Sequence, residues 1–110
     1  MGYIYPPTTG EYTFWISGDD ETELWLSSDN QASGASLIAN SPSWTGHRQW
    51  DRHASQQSVT ISLTAGQPYY IEALAQEGGG GDHLSVAWRL PGSSEIEVID
   101  GQYLAPLGTP

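Results

Sequence analysis

Two stretches of the chain carry the residues best suited to chemistry. The first, Gly18-Asp19-Asp20-Glu21, sets three carboxylates in a row. Like charges this close disfavour one another's ionisation unless a cation or hydrogen-bond donors compensate. Hard cations such as calcium want several oxygen ligands, and carboxylates supply them. A solvated acidic turn accounts for the same residues. The second stretch is Gln76-Glu77-Gly78-Gly79-Gly80-Gly81-Asp82-His83. Four glycines cost conformational entropy, but they reach dihedrals closed to other residues. Backbone carbonyls can then turn towards a metal or a closely approaching ligand. A flexible hairpin loop is the plainer alternative, and the residues alone leave both readings open. An EF-hand is excluded, because Asp19 to Asn30 lacks the glycine at the sixth loop position and the glutamate at the twelfth.

Catalytic arrangements find little support. Adjacent carboxylates do not give the separation of about 5 Å or more that a glycosidase pair needs. His47, His53 and His83 follow no zinc-ligand spacing. There is no serine elbow, and Gly78 to Gly81 is followed by neither a lysine nor a helical pattern, as a phosphate loop requires. The expectation is that the chain is not an enzyme.

The elements that must position these two stretches read as β-strands. Thirteen glycines and seven prolines punctuate short alternating runs, the signature of an antiparallel sandwich or barrel. Glu11 to Ser17 sets Tyr12, Phe14 and Ile16 on one face and Glu11, Thr13, Trp15 and Ser17 on the other. Thr22 to Ser27 turns Leu24 and Leu26 inward and Trp25 outward. Ser58 to Thr64 turns Val59, Ile61 and Leu63 inward. Tyr69 to Gln76 is β-prone and apolar on both faces near Tyr70 and Leu74, which suits a central strand. His83 to Leu90 lines up Leu84, Val86, Trp88 and Leu90, and Ile96 to Ile99 and Ser36 to Ala39 are short further strands. Phe14, Leu24, Ile61, Ile71, Val86 and Trp88 are the expected core. Asn40 to Ala54, which holds Trp44, is the longest stretch without alternation. The acidic stretch and the glycine-rich stretch each join two strands.

Composition bounds the partners. The chain has 110 residues, which suits one domain, and no cysteine, which removes disulfides and thiolate metal sites. Thirteen acidic residues against three arginines give a formal charge of −10. Such a field repels phosphate, so nucleic acid and anionic membranes are poor partners, while cations are attracted. No run of about 18 apolar residues is present, so membrane insertion is not expected, and no signal peptide is visible. Met1 followed at once by Tyr3-Ile4-Tyr5 reads as an excised module with an added start. The expected domain is 2–104, with a C-terminal linker at 105–110.

Several blocks together resemble the PA-fourteen domain, the module named after the anthrax toxin protective antigen. They are Gly10-Glu11-Tyr12-Thr13-Phe14, Ser17-Gly18-Asp19-Asp20 and Glu23-Leu24-Trp25-Leu26 in the first half. In the second half they are Leu63 to Glu72 and Glu77 to Trp88, so the resemblance covers most of residues 2 to 104. It departs from the family at the N-terminus, where members carry more chain before the position of Gly2, and at Glu21, where a small or neutral residue is frequent.

The resemblance implies an all-β, antiparallel β-sandwich or barrel-like lectin domain. It further implies that Asp19 and Asp20, joined by a cis peptide, hold a calcium ion (Ca2+). Glu77, Gly79, Gly81 and Asp82 of the second loop then complete the protein ligands, partly through backbone carbonyls. A non-proline cis bond costs about 2.5–4 kcal/mol but turns both carboxylates to one side. The ligand is expected to be a glycan whose neutral hydroxyl oxygens fill calcium's open positions. It would contact Asp19, Asp20, Gly80 and Asp82, with Trp44 and His83 offering apolar faces. The functional expectation is a calcium-dependent carbohydrate-binding module at the cell surface or in an extracellular setting, within a larger multidomain secreted protein. The rival is a spacer or protein-interaction domain in which calcium only stiffens the loops.

Overall fold

The computed structural model describes residues 2–18, 21–42, 49–75 and 84–106. Apolar alternation drives the described residues into nine strands: β1 (Gly2–Ile4), β2 (Gly10–Gly18), β3 (Thr22–Ser27), β4 (Ala35–Ser41), β5 (Ile61–Leu63), β6 (Tyr69–Ala75), β7 (Leu84–Arg89), β8 (Glu97–Val98) and β9 (Leu104–Pro106). They form a five-stranded sheet in the order β4-β3-β6-β1-β9 and a four-stranded sheet in the order β5-β2-β7-β8. Neighbouring strands pair antiparallel throughout. Three short 3-10 turns are the only helical elements among the described residues.

The two sheets face one another as a β-sandwich, with alternate residues of each meeting at the centre. Ile4, Leu24, Leu26, Tyr69 and Ile71 come from the five-stranded sheet. Tyr12, Phe14, Ile16, Leu63 and Trp88 come from the other. Trp88 is the largest fully buried side chain among the described residues. Its ring lies 5.1 Å from Tyr12, 6.1 Å from Phe14 and 5.4 Å from Tyr103, all in tilted geometry. Ile61 and Val86, expected in the centre, pack against this cluster but are only partly buried.

β6 is central, as its two-sided apolar character implies, paired to β3 on one side and β1 on the other. β1 is likewise interior, between β6 and β9. Ala105 and Pro106, read from sequence as linker, are strand residues that pair with Tyr3 and Gly2.

β2 is buried on both faces: Trp15, opposite Tyr12, Phe14 and Ile16, is only 4% exposed, and its neighbours Thr13 and Ser17 are buried too. The Arg89 guanidinium, delivered by β7, stacks 5.4 Å over the Trp15 ring and covers that side of the strand. Val59, expected inward, is 77% exposed. The strand there spans only Ile61–Leu63. Upstream of it Ser58 takes the place beside β2: its N–H donates to Phe14 O at 2.8 Å, and its hydroxyl accepts from Phe14 N at 2.9 Å. The alternation therefore slips by one residue between Ser58 and Ile61.

Candidate functional site

Strand register decides where the two chemistry-bearing loops begin and end. β2 stops at Gly18 and β7 starts at Leu84, and these two residues pair directly. β3 starts at Thr22 and β6 stops at Ala75, and these also pair directly. The acidic loop crosses from β2 to β3, and the glycine-rich loop crosses from β6 to β7. Each therefore runs from one sheet to the other at the same end of the sandwich, on neighbouring strands. Ser41, the last residue of β4, pairs with Thr22 on its other side, so the segment that carries Trp44 leaves from the same end.

The feet of these loops are held by buried polar contacts. Thr22 and Ser41 are buried, their hydroxyls hydrogen-bond to each other, and Ser41 N donates to Thr22 Oγ1 at 3.2 Å. Gln56, also fully buried, ties the returning segment to β2. Its Nε2 donates to Ile16 O at 2.9 Å and to Gln49 O at 2.6 Å, while its Oε1 accepts from His53 N at 2.8 Å. One side chain thus bonds three backbone groups, one of them on β2, and fixes the returning segment to that strand.

The opposite end is stitched shut. Tyr12 OH donates to Thr8 O at 2.5 Å, Thr64 N donates to Tyr69 Oη at 2.8 Å, and Ala65 N donates to Thr9 Oγ1 at 2.9 Å. Burial holds the Tyr12 phenol above the ordinary value of 10.0, against the opposing pull of its hydrogen bond to Thr8 and with a smaller upward push from Tyr103.

Of the residues singled out from sequence, Asp19, Asp20, Trp44, Glu77, Gly79, Gly80, Gly81, Asp82 and His83 lie outside the described residues, as does the peptide bond between Asp19 and Asp20. Glu21 is described and exposed. Among the described residues no group of three or more His, Cys, Asp or Glu is placed to hold a metal. The anchoring residues Gln56, Thr22 and Ser41 were not legible as such. Gln56 sits in a run of small polar residues, and its partners include one on a distant strand.

Comparison with known proteins adds to this frame. The profile of the GLEYA domain matches residues 1–89. The chain belongs to the GLEYA domain family. GLEYA domains are related to the lectin-like PA-fourteen fold, so the resemblance in the sequence blocks holds at that level, and the family itself is GLEYA. This GLEYA domain is 35% identical to a stretch of mouse N-acetyl-beta-glucosaminyl-glycoprotein 4-beta-N-acetylgalactosaminyltransferase 1, over 96% of the chain. It is 32% identical to mouse Fibrocystin-L over 69% of the chain and 28% identical to dog Fibrocystin over 66%. It spans 11% of the transferase and 2% of each fibrocystin, so these relatives are far longer proteins. Among solved structures, an anti-sigma factor domain-containing protein from Clostridium clariflavum superposes with a TM-score of 0.67 at 28% identity. That match covers 96% of this chain and 31% of the other.

Proposed function

We propose that this GLEYA domain is a calcium-dependent carbohydrate-binding module and not a catalyst. The observation that carries the reading is the register: Gly18 pairs with Leu84 and Thr22 with Ala75, which starts and ends the acidic and glycine-rich loops side by side. The donor set in those loops is all oxygen, as a hard cation requires. Asp19 and Asp20 would hold calcium by their carboxylates, with Glu77, Gly79, Gly81 and Asp82 supplying carboxylate and carbonyl oxygens. When bound, the ion supplies coordination positions that vicinal sugar hydroxyls fill. The aspartates would accept hydrogen bonds from those hydroxyls, Gly80 would leave room for the ring, and Trp44 and His83 would offer it apolar surface.

Membership of a family related to lectin-like modules supports the reading, as does a relative whose name describes transfer of a sugar to a glycoprotein. The small fraction of each relative that the chain spans supports a role as one module of a larger secreted or cell-surface protein. Affinity for a single sugar is expected in the range of about 10 μM to 10 mM, because one exposed ring buries little surface. Avidity then comes from repeated display.

Thermal unfolding with calcium and with a chelator tests the metal. A ligand that binds only the native state raises the melting temperature, by several degrees for a domain of this size when calcium is well above its Kd. Asp19→Ala and Asp20→Ala are each expected to abolish the rise. A wild-type melting point indifferent to calcium and chelator would remove the metal from the account.

A further inference from the structure

The outer face of the five-stranded sheet, on the side away from the core, combines aromatic rings with carboxylates. Register aligns Leu37 of β4, Trp25 of β3 and Glu72 of β6 in one row across three strands. The next row sets Glu23 beside Leu74, and a third sets Tyr70 beside Tyr3. Leu37 and Leu74 are 45% and 44% exposed, and Trp25, Glu72 and Tyr3 are half-buried. Two internal hydrogen bonds hold the charged groups in place. Trp25 Nε1 donates to Glu23 Oε1 at 3.1 Å, and Tyr70 OH donates to Glu72 Oε1 at 2.8 Å. Neither carboxylate has a cationic partner among the described residues.

We propose that this face docks a cationic, extended peptide segment, its arginine or lysine side chains lying over Trp25 and Tyr3 and pairing with Glu72 and Glu23. Charge decides among occupants. A second copy would bring −10 against −10 and set carboxylates against carboxylates. A neutral sugar would cover Glu72 without a counter-charge, and burying an unpaired carboxylate is costly. A guanidinium or ammonium compensates the charge and also gains from the aromatic faces, while its aliphatic stem covers Leu37 and Leu74. The net charge of the chain steers such a segment towards it. This inference is independent of the calcium reading.

The test is a heteronuclear NMR titration of the intact chain, in chelator, with a short peptide alternating arginine and glycine. Saturable shifts are expected at the Trp25 indole N–H and the amides of Tyr3 and Glu72. Trp25→Ala is expected to weaken binding about two- to fivefold. Glu72→Gln, which keeps shape and packing, is expected to weaken it by a similar factor and to flatten its salt dependence. Shifts confined to the Asp19–Glu21 loop, equal binding of an alternating glutamate-glycine peptide, or perturbation of Trp25 by a neutral oligosaccharide and not by the basic peptide would each overturn the proposal.

Discussion

At the scale of single residues, two side chains hold positions that their types alone do not announce. Gln56 bonds Ile16 O, Gln49 O and His53 N at once, so Gln56→Ala removes three hydrogen bonds, one of them to β2. The expected loss is about 2–4 kcal/mol, measured by urea unfolding. Tyr12 makes a different point. Desolvation raises its phenol above 10.0, so the folded state keeps the proton longer than the unfolded chain does. The stability this gives is fully present below pH 10 and is lost as pH rises through the folded-state value. Tyr12→Phe is expected to cost about 1 kcal/mol at neutral pH, through the lost bond to Thr8, yet to lose less than the wild type on going to alkaline pH. Parallel melting profiles for the two proteins from pH 7 upward would contradict that assignment.

At the scale of elements, the start of β2 shows why a glycine stands where it does. Gly10 has φ +156°, and a Cβ there would lie 2.7 Å from Cβ and Cγ of Pro91. Gly10→Ala is expected to destabilise by about 1–3 kcal/mol, visible in the midpoint of chemical unfolding. A neutral effect would mean that the Pro91 turn gives way freely. The longer strands were readable from their apolar and β-prone patterning, and β2, β3, β6 and β7 stand where that pattern puts them within one or two residues. What local pattern does not show has long-range causes. Arg89, seventy-odd residues away in sequence, lies over the Trp15 ring, so nothing local marks that contact. Val59 is exposed because Ser58 bonds to the Phe14 backbone and shifts the phase, a contact set by how the chain returns to β2. The acidic and glycine-rich loops were visible by composition. Their adjacency was not, because it depends on Gly18 meeting Leu84 and Thr22 meeting Ala75 across two different sheets.

At the scale of the whole molecule, the sandwich separates its two ends. One is closed by side-chain and backbone hydrogen bonds within and between the segments 6–12 and 64–69. The other starts three connecting segments from paired strand termini, and two of these hold most of the residues with ligand chemistry. That division suits a module that presents loops on a rigid frame, and a chain spanning 11% or less of its relatives suits a module carried by something larger. The direct test of the central claim is a titration of a panel of neutral monosaccharides, followed by amide chemical shifts in calcium and again in chelator. The account predicts that at least one sugar shifts Asp19–Glu21 and Gln76–His83 together in calcium, that the shifts vanish in chelator, and that Asp20→Ala abolishes them. If no sugar perturbs either loop in calcium at roughly tens of millimolar, above the weakest affinity expected for one exposed ring, carbohydrate recognition by this end of the sandwich is contradicted.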